Sequence, residues 1–421
     1  MGKRIVLTTF GSLGDLHPYI ALAKGLQERG HTPVLATNEQ YRANIEAEGI
    51  LFHSVRPDTS KWLQDPEIFR KVMDVKEGTM FLLRELIMPT LQETYEDTRQ
   101  AMVGADLFVT HPLSLSALVL AEETKIKWLS TVLSPASFLS AYDFPLTAAL
   151  PAVAFLRRLG PGVTRGMLRW ARQIMKPIVE PYHRFRVEKG LPQGENPFMG
   201  GQFSPHKTLA LYSPLLGKIQ PDYPPNTVLT GFVYHDRYCA EGMPTELEEF
   251  LQAGPPPLVF TLGSAASMAA GNFYEQSIDV AKRTNRRAVF LIGRDPRNRP
   301  KQPLSEKMIA VEYAPYSELF PRAAALITSG GVGTLGQVLR SGRPAIIIPH
   351  GHDQWDNGDR LQRLGVARVV QQNCYTTLHG AAEILRLVGE NLYPARSKEV
   401  AEQVAQENGI EVACREVESM L

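Results

Sequence analysis

Cysteine is scarce in this 421-residue chain: Cys239, Cys374 and Cys414 stand far apart and form no CxxC pair. That excludes a disulfide framework and a cysteine zinc site, and it fits a reducing compartment. Long apolar runs are missing as well. No stretch of about 18 uninterrupted apolar residues occurs, so nothing reads as a membrane span. The N-terminal MGKRIVLTTFGSLGD starts basic, but its apolar run breaks at Gly11, without the h-region or cleavage site of a signal peptide. The expected location is the cytoplasm, with peripheral contact to a membrane surface as the furthest departure. Charge excess is absent too: 45 Lys+Arg against 44 Asp+Glu leave a net charge of +1. A dedicated nucleic-acid binder would carry a clear basic surplus, so nucleic acid is not an expected partner.

The chain is 44% hydrophobic and 21% charged, which is the composition of a packed protein, and its length suits two domains. Ile5–Thr9, Pro33–Ala36, Leu107–Thr110 and Trp128–Leu133 read as strands, with helical patterns over Pro18–Arg29 and Leu113–Thr124 between them. Short β-branched runs separated by helix-length segments imply βαβ units and a parallel sheet. The same grammar restarts with strands at Leu258–Leu262, Ala288–Ile292, Ala325–Thr328 and Ala345–Pro349. Two doubly wound α/β domains facing across a cleft are expected, over 1–235 and 236–400. A hinge near Pro221–Pro257 would join them, and a C-terminal helix in 401–421 would return to the first domain. In such sheets ligands bind beyond the carboxyl ends of the strands.

Ala141–Gly201 departs from this alternation. Val163–Ile178 sets Met167, Trp170, Ala171, Ile174 and Ile178 on one helical face, with Arg165, Arg169, Arg172 and Lys176 beside it. Arg157 and Arg158 precede them. The pattern has two readings: a basic amphipathic helix meeting anionic membrane or a lipid-like acceptor, or a surface helix with its stripe on the core.

Three motifs sit at strand ends. Gly11-Ser-Leu-Gly14-Asp15-Leu-His17-Pro18 follows the first strand, and its glycines allow a sharp turn beside a ligand. Asp15 lies at a helix start, where a cap is the simplest role for a carboxylate. The loop lacks the GxGxxG of a dinucleotide site. Thr261-Leu-Gly-Ser264 offers N–H groups and a hydroxyl to a phosphate. Ser329-Gly330-Gly331-Val-Gly333-Thr334 is a strand-to-helix turn without a Walker lysine, suited to a diphosphate that is bound but not transferred. His350-Gly-His352-Asp353-Gln354 ends the next strand. Its two His and one Asp lie in a loop without a further ligand cluster, so no metal site is expected.

The segment Tyr313–Asn357 resembles the C-terminal signature of family 1 nucleotide-sugar-dependent glycosyltransferases, which have the two-domain GT-B fold. The resemblance rests on Tyr313-Ala-Pro, the glycine-rich turn, Gly342-Arg-Pro344 and Pro-x-x-x-Asp-Gln-x-x-Asn from Pro349 to Asn357. GSLGDLHP is similar to the start of bacterial antibiotic, sterol and rhamnolipid-type members, and Leu133–Ser140 also resembles the rhamnosyltransferase branch.

The resemblance implies a UDP- or dTDP-sugar donor, an apolar acceptor, inversion, and no metal or other cofactor. It places Tyr313 against the base, Gln337 on the ribose, and Asp353 with Gln354 on the sugar. Gly14, Ser264, Ser329, Gly330, Gly331, Gly333 and Thr334 would surround the diphosphate. Ser329 departs from the family's usual His, so the turn's N–H groups must carry more of that anion. Asp15 falls at the general-base position and His111 at that of its partner, which reverses the His–Asp order of plant members. His17 is the competing base. A carboxylate is a weak base unless burial raises its pKa. The segment Ser134–Gly201 would bind the acceptor, with Phe138, Tyr142 and Phe144 as its aromatic lining. Two other readings stand beside this one: a nucleotide-sugar 2-epimerase, which shares the fold, and a non-catalytic binding partner.

Overall fold

The computed structural model describes residues 2–60, 62, 65–148, 150, 152–236 and 242–421. Cys239 and part of the expected hinge lie outside the described residues.

Two units divide the chain: Met1–His235 with Asn408–Leu421, and Asp236–Glu407. The first holds β1 (Arg4–Thr8), β2 (Thr32–Thr37), β3 (Leu51–Ser54), β4 (Leu107–Thr110), β5 (Trp128–Val132), β6 (Lys207–Ala210) and β7 (Thr227–Leu229). Their order in the sheet is β3-β2-β1-β4-β5-β6-β7. The second unit holds β8 (Leu258–Thr261), β9 (Ala288–Leu291), β10 (Met308–Val311), β11 (Ala325–Thr328), β12 (Ala345–Ile347) and β13 (Ala367–Val369), ordered β10-β9-β8-β11-β12-β13. Every pairing between neighbours is parallel. These are two doubly wound sheets, each reversing direction beside its first strand.

The central strands are those the apolar runs announce, because helices cover both faces of a parallel sheet. Ile5, Val6 and Leu7 of β1 are wholly buried, as are Leu107, Phe108 and Val109 of β4. Five strands escape the sequence reading: β3, β6, β7, β10 and β13. They are short, and all but β10 carry Lys, His, Ser, Thr or Arg among their apolar residues, so those runs are diluted.

The first helix begins at Leu13, five residues before the expected Pro18, and runs to Glu28. Ser12 caps it: its hydroxyl accepts the Gly14 N–H at 3.2 Å, and Asp15 returns to the Ser12 N–H at 2.7 Å. This capping box satisfies otherwise orphaned donors, so the helix starts in the loop and accommodates Pro18. A later helix, Gly409–Glu418, lies against the first one. Lys207 Nζ reaches Glu416 at 2.6 Å, and Arg29 bonds both Glu411 and Glu418. Residues 401–407 stay with the second unit, whose Leu392–Val404 helix runs through the expected boundary at 400.

Between β5 and β6 lies the long helix Pro161–Glu188. Its C-terminal half brings Ile178, Val179, Tyr182 and Phe185 into the core with Leu91, Tyr95 and Phe108. The N-terminal half behaves differently. From 161 to 176 only Thr164 is buried, while Trp170 is 55% and Ile174 44% exposed. Trp170 and Ile174 of the apolar stripe are therefore off the core, whereas Met167 and Ala171 are half-buried and Met175 packs against the core.

Candidate functional site

β1 and β4 are neighbours at the reversal point of the first sheet, so the loops leaving their carboxyl ends diverge around a shared space. Asp15 comes from the loop and helix after β1, and His111 directly follows β4. The structure brings them together: His111 Nε2 lies 3.7 Å from Asp15 Oδ1.

The two Asp15 oxygens have separate tasks. Oδ2 accepts from the Ser12 N–H at 2.7 Å and the Ser12 hydroxyl at 3.3 Å. Oδ1 faces the histidine. The carboxylate is therefore both the expected cap and a group held for chemistry. Gly11 makes room for it: with φ at +134°, a Cβ there would sit 2.3 Å from Asp15 Oδ2. His111 is 5% exposed, and its Nδ1 accepts the Leu113 N–H at 3.2 Å. The proton of the neutral ring is thus on Nε2, directed at Asp15. Tyr19 packs edge-on to the ring at 6.0 Å. Burial, with a smaller contribution from the Asp15 charge, raises the Tyr19 phenol far above its usual range and keeps it neutral.

His17 does not join this pair. Residues two apart on a helix do not face each other. The His17 ring instead lies 5.4 Å from that of His235, whose Nε2 is 3.3 Å from Glu48 Oε1.

A narrow cleft lies at the carboxyl ends of β1 to β4, with room for little more than a water molecule. Phe10, Val55, Ile87, Leu91 and Leu113 form its apolar lining, and the hydroxyls of Thr8, Thr37, Thr90, Thr94 and Thr98 there donate to backbone carbonyls. Of the acceptor residues expected further along, Phe138 is 8% exposed and stacks on Tyr223 at 3.8 Å and Phe203 at 5.3 Å. Its ring belongs to an internal stack, not to this cleft. Tyr142 is exposed and lies under the Arg165 guanidinium, and Phe144 is half-buried. The cleft residues were missed because Phe10 and Val55 sit singly beside strand ends, and Ile87 and Leu91 come from an irregular helical stretch. The one available signal was Phe10, an aromatic directly between the first strand and the Gly11 turn.

In the second unit the corresponding reversal point lies between β8 and β11. Ser329, immediately after β11, is 1% exposed and donates to the Leu262 carbonyl at 2.8 Å. A hydroxyl has one proton to give, so Ser329 ties two strand ends together and has none left for a phosphate. Gly330 takes φ +84°, and a Cβ there would meet Ile347 Cγ2 at 2.6 Å. Gly331 caps the helix Val332–Ser341, and Gly333 is exposed in its first turn. That turn presents free N–H groups, a geometry that favours anions. Thr334 is buried beside the Tyr316 hydroxyl, which itself bonds Thr261 at 2.9 Å. Ser264 is exposed, in the turn after β8.

Gln337 donates to Asp236 at 3.2 Å, alongside Arg340 at 2.7 Å. Asp353 accepts from the Asn357 amide at 2.9 Å. Gln354 is 5% exposed, and its Oε1 accepts the N–H groups of His350 at 2.8 Å and Gly351 at 3.3 Å. Its carbonyl therefore shapes the loop, leaving only the amide NH₂ for a ligand. Tyr313, 46% exposed, keeps a ring accessible for stacking. His350 is buried; burial lowers its pKa, despite its 2.7 Å bond with the Ile348 carbonyl, and holds it neutral. Among the described residues no three His, Cys, Asp or Glu side chains cluster as a metal site. No described helix is long and apolar enough to cross a membrane.

Comparison with known proteins agrees with this layout. Residues 5–142 match the glycosyltransferase family 28 N-terminal domain, and residues 291–419 match the erythromycin biosynthesis protein CIII-like C-terminal domain. The chain is 30% identical to the O-mycaminosyltylonolide 6-deoxyallosyltransferase of Streptomyces fradiae, over 98% of this chain and 96% of that protein. It is 26% identical to a sterol 3-beta-glucosyltransferase of Neurospora crassa, covering 98% of this chain but only 27% of that longer protein. Among solved structures, the glycosyltransferase SnogD from Streptomyces nogalater superposes with a TM-score of 0.71 at 19% identity, with full coverage of both chains. The spinosyn rhamnosyltransferase SpnG with thymidine diphosphate gives 0.69 at 16% identity, over 99% of this chain and all of the other. Relatedness along the whole length, on two sheets of this order, means that the chain belongs to the family 1 nucleotide-sugar-dependent glycosyltransferases of the GT-B fold.

Proposed function

We propose that this glycosyltransferase moves a hexose from a UDP- or dTDP-sugar to a hydroxyl of an apolar, ring-built acceptor, with inversion and without a metal. Asp15 is the general base. The observation that carries this reading is the division of labour in its carboxylate. Oδ2 is fixed by Ser12, and Oδ1 is left beside His111 at the sheet's reversal point.

In the proposed reaction Asp15 Oδ1 takes the proton of the acceptor hydroxyl. The acceptor oxygen bonds to the anomeric carbon as the bond from that carbon to the diphosphate oxygen breaks. The electron pair leaves on the diphosphate, and one displacement inverts the centre. His111 acts as a positioning residue: its Nε2–H points at the carboxylate and steadies the orientation of Oδ1. Its distance of 3.7 Å exceeds a formed hydrogen bond and suits a pair that tightens when substrate binds. Stabilisation of the leaving group falls to the N–H groups at the start of the Val332–Ser341 helix.

The apolar side chains Phe10, Val55, Ile87, Leu91 and Leu113 beside these strand ends favour an apolar acceptor by their character. The relatives named for a tylonolide derivative and for sterols favour such a compound, and the neighbour holding thymidine diphosphate favours a dTDP-sugar.

The test is a mass-spectrometric transfer screen of sterols and macrolide aglycones against UDP-glucose, dTDP-glucose and dTDP-rhamnose, with and without EDTA. Proton coupling at the anomeric centre of the product reports the stereochemistry. Retention of configuration, or loss of turnover on adding EDTA, would refute the mechanism. Donor binding with no product from any acceptor would return the protein to a binding role.

A further inference from the structure

The N-terminal half of the Pro161–Glu188 helix has a solvent face that the proposed chemistry does not use. At 3.6 residues per turn its side chains form three rows. One row, with Thr164, Val179 and Tyr182, meets the rest of the unit; Thr164 donates to the Ala141 carbonyl at 2.6 Å. A second row holds Val163, Trp170 and Ile174, all exposed. The third holds Arg165, Arg169, Arg172 and Lys176, also exposed. Only Gly162, Gly166 and Gln173 separate the second row from the third on the outer side. Phe155, 64% exposed, and Leu159, 56% exposed, lie in the short turns leading into the helix.

The charge in this segment is one-signed. Between Asp143 and Glu180 there is no Asp or Glu, but there are six basic residues: Arg157, Arg158, Arg165, Arg169, Arg172 and Lys176. The whole chain has a net charge of +1, so this stretch concentrates what the remainder offsets. Arg165 stacks over Tyr142 at 5.0 Å, and Arg172 donates to the Met199 carbonyl at 3.3 Å. Arg158, Arg169 and Lys176 are exposed.

We propose that this face docks the enzyme on an anionic lipid bilayer. An indole and branched aliphatics laid beside a row of guanidinium groups suit the boundary between acyl chains and phosphate headgroups. Long basic stems cover apolar surface while their charged ends stay with the headgroups. A second copy of the chain fits poorly, because a symmetric contact would bring like charges together. A bilayer supplies both an apolar layer and the opposite charge. Docking would set the enzyme where apolar acceptors dissolve, but the surface stands independently of the assignment of the base.

The experiment is flotation of the full chain with vesicles of equimolar phosphatidylglycerol and phosphatidylcholine, against vesicles of phosphatidylcholine alone. Wild type floats with the mixed vesicles, and added salt releases it. The triple variant Arg158→Glu, Arg169→Glu, Lys176→Glu binds on the order of 100-fold more weakly. The double variant Trp170→Ser, Ile174→Ser loses about tenfold or more. All of these side chains are exposed, so unchanged thermal melting and unchanged transfer to a water-soluble acceptor separate lost docking from lost folding. Equal flotation with both vesicles, no flotation, or variants that float like wild type would each overturn the proposal. Self-association of wild type that the Trp170/Ile174 variant abolishes, without vesicle binding, would assign the face to a second copy instead.

Discussion

Replacing Asp15 by Asn separates the two tasks of this side chain. The amide keeps an oxygen that can accept the Ser12 N–H, now 2.7 Å from Oδ2, so the capping box survives in outline. What is lost there is a negative charge in the first helical turn, worth about 0.3–1 kcal/mol. In a unit of this size that lowers the melting temperature by only about 1–4 °C. The catalytic loss is far larger. An amide cannot take the acceptor proton, and a positioned base contributes about 10²–10⁴-fold, or roughly 3–5 kcal/mol of barrier. Turnover by mass spectrometry should therefore fall by that factor, while donor affinity by calorimetry stays within about twofold because Asp15 belongs to the first unit. Asp15→Ala supplies the contrast: it also removes the oxygen that accepts the Ser12 N–H, costing about 0.5–1.5 kcal/mol more. If Asp15→Asn keeps turnover within about threefold of wild type, the base is another group and the geometric argument fails. If turnover and melting temperature fall in step, Asp15 is a cap and nothing else.

Gly11→Ala tests the same carboxylate from outside. Its Cβ would overlap Asp15 Oδ2 at 2.3 Å in a backbone conformation with φ +134°, so turnover should fall at least about tenfold while the second unit's donor binding is unaffected. Ser329→Ala should destabilise the second unit by about 1–3 kcal/mol in urea unfolding, because the Leu262 carbonyl loses its 2.8 Å partner. Donor affinity should hardly change; a large loss would return Ser329 to the diphosphate. His350 gives a pH signature. Its folded pKa is held below the ordinary value of 6.5, so as pH falls below 6.5 the unfolded chain takes up a proton that the folded one refuses. The contribution is intact above 6.5 and is lost below it at up to about 1.4 kcal/mol per pH unit. Urea midpoints across that range should show the slope, and His350→Phe should flatten it; an unchanged slope would mean another group titrates.

Several features of this protein were legible in the order of its residues. Buried parallel strands must be apolar along their whole length, so Ile5–Leu7, Leu107–Val109 and Leu326–Ile327 identify themselves without any partner in view. The glycine-rich turns after β1 and β11 are legible for a local reason too: backbone at +134° and +84° beside a close neighbour tolerates nothing larger. Asp15 could be read as a capping carboxylate from its place beside the glycine turn at a helix start. Edge strands such as β3 and β7 were not legible, since three or four residues that include His, Ser or Thr leave no apolar run to read.

Tertiary structure decided the matters that depend on direction. Ser329 and Gln354 look alike as ligand contacts in sequence, but hydrogen bonds have a direction: the Ser329 proton goes to the Leu262 carbonyl, whereas the Gln354 carbonyl is taken by His350 and Gly351 and its NH₂ is left for a ligand. His17 and His111 were both candidates beside Asp15. Helix periodicity turned one toward His235, and the pairing of β1 with β4 set the other 3.7 Å from the carboxylate across almost a hundred residues of chain. Phe138 and Trp170 show the same limit, since sequence alone cannot tell which side of an aromatic residue will be covered. The first is stacked inside the unit and the second stands 55% exposed. A residue's type and its immediate neighbours set what it can do, whereas its partners depend on which distant strand ends the fold brings to the same edge.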